Sequence, residues 1–133
     1  MKAAAVALVA SAALGAVGAT VAHAYLRRSA PPALPLLHGE VTWAPGSRPA
    51  PVSVPRGRTA VLAFVAPGCT GCLAELRVAV GSVPARLRPT IVRRAFHGHS
   101  LILIVDRGGD VRTGYTFPFA PAFVTDDLEA LAR

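Results

Sequence analysis

The sequence predicts an α/β domain: a central mixed sheet flanked by helices, preceded by an N-terminal signal or anchor helix. Three observations carry this. Two unbroken apolar runs, AVLAFVA at 60–66 and LILIV at 101–105, are bounded by turn residues, the pattern of strands buried on both faces of a sheet. The first run ends in Pro67-Gly68 and leads directly into Cys69-Thr70-Gly71-Cys72, which holds the only two cysteines of the chain. The N-terminus begins Met1-Lys2 and continues as an almost pure Ala, Val, Leu and Gly stretch over residues 3–19.

That N-terminal stretch is followed by Ala22-His23-Ala24, a small-x-small pattern of the kind signal peptidase cuts. Cleavage after Ala24 leaves a chain starting at Tyr25. An uncleaved anchor is the alternative, because residues 3–22 make about one bilayer crossing. No cysteine follows the apolar stretch, so no lipoprotein site is expected. Both readings put the domain outside the cytoplasmic membrane, anchored to it through the N-terminal segment or secreted. The expected division is 1–24 signal or anchor, 25–57 Pro-rich linker with edge strands, and 58–133 folded domain.

Residues 29–58 hold seven prolines, which remove amide donors and stiffen the chain. Val41-Thr42-Trp43 and Val52-Ser53-Val54 are candidate short edge strands, with Trp43 as a core plug. After the first buried strand and the cysteines, two readings of the middle stay open. One carries the cysteine-led helix to about residue 80. The other, which supplies a missing parallel strand and is preferred, ends that helix near Arg77, makes 78–83 a strand, and starts a helix at Pro84 running through Arg93-Arg94. The LILIV run, the turn Asp106-Arg107-Gly108-Gly109-Asp110 and the strand-like VRTGYTF together predict a β-hairpin. Asp126, three residues before Glu129, predicts a capped C-terminal helix with Leu128 and Leu131 on its apolar side. Strand, CxxC, helix, antiparallel hairpin and closing helix, in that order, predict a thioredoxin-like fold.

The charge balance is +7, from 14 basic and 7 acidic residues. Every basic residue after Lys2 is arginine, scattered with no run longer than two. Nucleic-acid binders show a clustered basic stripe with interleaved aromatics, so nucleic acid is not an expected partner. Arg27-Arg28, next to the N-terminal segment, suits an anionic lipid surface.

Four readings of the cysteine pair compete. A structural disulfide would enclose only Thr70 and Gly71, and a crosslink around so short a loop removes little unfolded-state entropy. A closed zinc site needs four ligands, and Cys69, Cys72, His97 and His99 supply them only with an unusual His-x-His spacing. Thiol–disulfide exchange fits better. A cysteine where a strand ends and a helix begins has backbone N–H groups and the positive helix end aimed at its sulfur. That favours the thiolate, the nucleophile in exchange. Cys72, one turn on, would resolve the mixed disulfide, and such exchange with protein thiols and disulfides requires no cofactor. Copper is the fourth reading: two thiolates and one imidazole suit Cu(I). Of the histidines, His97 and His99 just precede the LILIV strand, and no proline precedes Leu101, so a histidine stands where thioredoxins carry a cis-proline.

The segment HSLILIVDRGGDVRTGY resembles the part of Sco/SenC proteins in which a metal-binding histidine opens a strand ending in an Asp-Gly hairpin. LHGEVTWAPGSRPAP and VSVPRGRTAVLAFVAPGC are similar to the region leading into that family's cysteines. GYTFPFAPAFVTDDLEALAR is similar to the tails of its actinobacterial members. The resemblance covers roughly residues 37–133. It matches Cys69 and Cys72 to the family's cysteines and His99 to its histidine, and so implies a copper site of Cys69, Cys72 and His99 and a cytochrome oxidase subunit as partner. The chain has two residues between its cysteines where the family has three, and its stretch from the cysteines to His99 is shorter.

The leading expectation is an extracytoplasmic, membrane-targeted thioredoxin-like domain in which Cys69 attacks and Cys72 resolves. A Sco-like copper carrier is the alternative. A third is a non-catalytic binding module presenting Tyr115, Phe117, Phe119 and Phe123.

Overall fold

The two apolar runs form the paired centre of a five-stranded sheet. In a computed structural model, which describes residues 33–133, the elements are β1 (Val41–Thr42), β2 (Ala60–Val65), α1 (Thr70–Gly81), a 3-10 turn (Ala85–Leu87), β3 (Thr90–Ala95), β4 (Leu101–Val105), β5 (Val111–Thr116) and α2 (Pro121–Ala132). The expected signal or anchor and the first part of the expected linker lie outside the described residues. The spatial order is β1-β5-β4-β2-β3. β2 pairs with β3 in parallel and with β4 antiparallel, with Leu62 opposite both Val92 and Leu103. β4 and β5 are antiparallel, and β1 adds antiparallel to β5. The architecture is a mixed α/β sheet flanked by helices.

Strand alternation sorts the core into two layers. Val61, Ala63, Ile102, Ile104 and Tyr115 face Leu76 and Ala79 of α1 and Val124, Leu128 and Leu131 of α2. Both helices therefore cover the same face. Ala60, Leu62 and Val105 face the other way, under Trp43, Val52 and Val54. Residues 35–57, expected as linker, thus belong to the folded unit Pro35–Arg133. Their prolines suit a segment that crosses a sheet face without pairing along it. Val41-Thr42 does form an edge strand, whereas Val52-Ser53-Val54 packs on the sheet without joining it.

The preferred reading of the middle is overturned. The cysteine-led helix runs to Gly81, so 78–83 is not a strand. It stops because Ser82 turns back, its hydroxyl donating to the Val78 carbonyl at 2.9 Å, and because Pro84 cannot continue it. Pro84 opens only the 3-10 turn, and the parallel strand is Thr90–Ala95, which contains Arg93 and Arg94. Pro89 stands just outside the strand, where its missing donor is not needed. The C-terminal helix also starts earlier than Asp126. Pro121 opens it, with its fixed φ and absent N–H suited to a first turn. The hairpin forms as expected: the Asp106 carboxylate accepts from the amides of Gly108 (2.9 Å) and Asp110 (3.1 Å). Gly109 has φ +93°, a conformation that favours glycine.

Asp127, moved into the middle of α2, is fully buried. Its carboxylate accepts from the His38 amide at 3.0 Å, meets His38 Nδ1 at 2.8 Å, and accepts from the Tyr115 hydroxyl at 2.5 Å. The His38 ring stacks on Phe123, centroids 5.1 Å apart. Two residues on, the Glu40 carboxylate accepts from the Thr116 amide (3.0 Å) and hydroxyl (2.6 Å). Those bonds, the hydroxyl's first, hold the Glu40 carboxyl below its ordinary pKa. Gly39 between them is tightly placed, since a Cβ there would lie 2.8 Å from the Gly114 carbonyl oxygen and collide with the Thr113 hydroxyl.

Removing a buried charge's partners, or the charge itself, is costly. Asp127→Ala is expected to lower unfolding free energy by about 3 kcal/mol in urea titrations, and Tyr115→Phe by about 1–2 kcal/mol. Burial, then the hydrogen bond to Asp127, pushes the Tyr115 phenol up from its ordinary value of 10.0. The neutral phenol is favoured by folding, so its stability contribution is complete below pH about 10 and declines above it as the unfolded chain ionises. Stability of the oxidised protein is expected to fall by about 1.4 kcal/mol per pH unit above 10, and Tyr115→Phe is expected to flatten that slope.

Candidate functional site: the Cys69–Cys72 disulfide

The end of β2 and the start of α1 place the cysteines. β2 leaves the sheet at Val65, and Ala66-Pro67-Gly68 reverses the chain. Gly68 has φ +82°, a conformation that would strain a side chain, and the Cys69 amide donates to the Ala66 carbonyl at 3.2 Å. Cys69 is the N-cap residue of α1, with no side-chain cap on the helix. Its sulfur is bonded to that of Cys72, with Cα atoms 5.5 Å apart.

The two sulfurs have different surroundings. Cys72 lies on the buried side of α1 with Leu76 and Ala79 and is 4% exposed. Spacings of four and seven residues put all three on one helix face. Cys69, before the helix begins, is partly exposed and lines two grooves. One, of about 520 Å³, runs between the β2–α1 turn, Leu73 of α1, and Arg93, Arg94 and Ala95 of β3. The other, of about 360 Å³, is bounded by Gly71, Cys72, Glu75, Phe117 and Pro118.

Ser100 anchors this corner. It is buried, and its hydroxyl accepts from the Ala66 amide at 2.8 Å while its carbonyl accepts from the Phe117 amide at 3.1 Å. One residue thus ties the cysteine turn to the segment that walls the second groove. The cis peptide bond lies at Phe117-Pro118, after β5, not before β4 where the histidine stands.

The sequence-predicted residues divide accordingly. Cys69 and Cys72 are brought together. His99, like His97, is exposed in the loop 96–100 that leads into β4. Among the described residues no group of three or more His, Cys, Asp or Glu is arranged to hold a metal ion. Of the copper donor set, Cys69 and Cys72 are joined as a disulfide and His99 is exposed. His38, taken as part of a linker, is instead a partner of Asp127. The four aromatics do not make one surface: Tyr115 and Phe119 are core, Phe117 lines the second groove, and Phe123 stacks on His38. Among the described residues no helix is long and apolar enough to cross a membrane. The residues missed by sequence reasoning are Ser100, Pro118, Arg93 and Arg94; Phe117 was named only among the aromatics. The arginine pair stands on β3, not on the expected helix.

A comparison with known protein families, characterised proteins and solved structures finds no match to this chain.

After reduction, iodoacetamide is expected to label Cys69 at least about tenfold faster than Cys72, because Cys69 is partly exposed while Cys72 is buried at 4% exposure. Peptide mapping after brief labelling checks this, and equal labelling would contradict it. Ser100→Ala leaves the Ala66 amide without its acceptor and is expected to cost about 1–2 kcal/mol of stability, measured by urea unfolding.

Proposed function

We propose that this chain is a thiol–disulfide oxidoreductase of thioredoxin-like fold, working outside the cytoplasmic membrane, with Cys69 as the attacking sulfur and Cys72 as the resolving one. The observation that carries this is the asymmetry of the pair: one sulfur at a helix N-cap open to a groove, the other buried one turn along. The fold assignment draws on the β2–α1–β3 parallel unit, with β2 paired on its other side to the antiparallel β4–β5 hairpin, and α2 returning to the face that α1 covers. The extracytoplasmic setting draws on the signal-like N-terminus, in a compartment where disulfides persist.

In the reducing direction the Cys69 thiolate attacks one sulfur of a partner disulfide. A Cys69–partner bond forms, the partner's S–S bond breaks, and its second sulfur leaves as a thiolate that takes a proton. Cys72 then loses its proton and attacks Cys69 Sγ. The Cys69–Cys72 bond forms, the partner bond breaks, and the partner leaves as a dithiol. Two electrons pass from this chain to the partner. The same steps reversed oxidise a partner dithiol, and relative potentials set the direction. The helix N-terminus favours the thiolate of Cys69 as both nucleophile and leaving group. The burial of Cys72 keeps the second sulfur from competing for partners.

A Sco-like copper carrier serving a cytochrome oxidase subunit is the second reading. It is favoured by one contact: Ser100, adjacent to His99, bonds the turn that leads to Cys69. The full chain, assayed for insulin-disulfide reduction with dithiothreitol as electron source, separates the two. Exchange predicts that Cys69→Ala abolishes activity, that Cys72→Ala accumulates mixed disulfide with insulin, and that His99→Ala retains activity within about twofold. Copper titration of the reduced chain completes the test. The carrier reading predicts a sharp loss of Cu(I) affinity in His99→Ala, and absence of insulin reduction by the wild-type chain overturns the exchange reading.

A further inference from the structure

We infer that the groove between Cys69 and β3 receives an extended, acidic segment of a partner polypeptide, which adds as a strand to the free edge of β3 with its cysteine sulfur at Cys69. This names the partner chemistry of the exchange site and rests on the exchange reading.

The backbone supplies the first half of the argument. Among the described residues β3 is an edge strand, paired only with β2. The amides of Thr90 and Phe96 donate to the carbonyls of Thr59 and Val65 at 3.0 and 3.1 Å. The two-residue repeat of a parallel ladder therefore directs residues 90, 92, 94 and 96 toward β2. The main-chain groups of Ile91, Arg93 and Ala95 face outward, and Arg93 and Ala95 also line the groove. The strand ends level with the cysteine turn, Ala95 lying opposite Val65. A strand added along this edge would therefore end level with the cysteine turn. Ile91 and Phe96, each 39% exposed, offer apolar contact at either end of that edge.

Charge supplies the second half. Arg93 and Arg94 line the groove, and none of its lining residues is acidic. Among the described residues the ion pairs are His38–Asp127, Arg112–Asp106 and Arg133–Glu129, so neither groove arginine has a carboxylate partner. The Arg94 guanidinium turns along the edge and donates to the Arg93 carbonyl at 2.9 Å. Charged side chains on an edge strand ordinarily prevent self-association. Two copies paired through β3 would bring four guanidinium groups together, which excludes a second copy as occupant. The same charges attract a strand carrying Asp or Glu. A polypeptide is preferred to a nucleic acid or lipid because the groove ends at a redox sulfur, and the occupant must carry a sulfur of its own.

The test uses the reduced full chain and two disulfide-linked peptides, identical except that the residues flanking the cysteine are Asp and Glu in one and Lys in the other. The acidic peptide is expected to be reduced with at least about tenfold higher kcat/KM at low salt, the ratio shrinking toward one at 0.5 M salt as screening shortens the reach of the charges. Arg93→Glu/Arg94→Glu is expected to invert the ratio. Arg86→Glu, an exposed arginine in the 3-10 turn before β3, is expected to leave it unchanged. Equal rates for the two peptides with the wild-type chain overturn this inference alone, whatever the variants do. Reduction of neither peptide overturns it together with the exchange reading. If glutathione disulfide, which is anionic but too short to pair along β3, is reduced as efficiently as the acidic peptide, strand addition is refuted.

Discussion

A carboxylate placed wholly out of water must be met by donors, and Asp127 imposes that demand on the rest of the domain. A buried carboxylate without partners costs several kcal/mol even after relaxation, and the His38 amide, His38 Nδ1 and the Tyr115 hydroxyl meet it. These three partner groups come from two segments that α2 must reach together. The constraint propagates outward through short steps. His38 fixes where the N-terminal segment meets the sheet, Glu40 then binds Thr116, and Thr116 leads into Phe117, whose amide is held by Ser100. Ser100 in turn holds Ala66, in the turn that carries Cys69. A bonded series thus runs from the buried carboxylate to the cysteine turn. It is a statement about position, and it explains why a small domain with a two-residue edge strand nevertheless presents a defined site.

The difference between the two sulfurs needs no special device. α1 buries Cys72, Leu76 and Ala79 because a helix against a sheet buries one face in steps of three and four residues. Cys69 sits one residue before the helix and escapes that face. The strand-turn-helix connection then leaves it where the two grooves meet. The same asymmetry is what the proposed exchange would use: an accessible atom for the partner and a protected one to displace it.

The legible parts of this fold were those whose burial is written as composition. β2 and β4 are central strands with core on both faces and every residue apolar, so their runs stand out from sequence alone. The hairpin was legible because Asp106 and Gly109 are the residue types its turn requires. β3 was not, because it is an edge strand. Four of its six residues are exposed, and TIVRRA carries neither strict alternation nor a helical period. Pro84 then imitated a helix start it does not deliver. The covering role of residues 35–57 was hidden for a related reason: a segment that lies across a sheet face without pairing has no periodicity, and its prolines read as a linker. Asp127 was illegible for a different cause. Its partners lie 89 and 12 residues away, and nothing local in TDDLEALA distinguishes the carboxylate that turns inward from its neighbour Asp126.

Within the site the same distinction holds. The cysteines were legible because the chain has only two and they stand three positions apart, and the Pro67-Gly68 turn before them fixed their place at a helix start. The groove walls were not, since they come from three separate segments. Arg93 and Arg94 show how charge statistics mislead at this scale. Thirteen arginines spread through the described and undescribed chain give no stripe, and a count of them points to no partner. What matters is that two of them fall on β3, at an edge of the described sheet, and line a groove with Cys69 and no acid. Because they alternate along a strand, they project to opposite faces of the sheet. Only the fold of Arg94 back over the Arg93 carbonyl brings both charges to the same edge. The electrostatic character of the site is therefore a consequence of topology, of β3 being last in the sheet, rather than of the overall excess of positive charge.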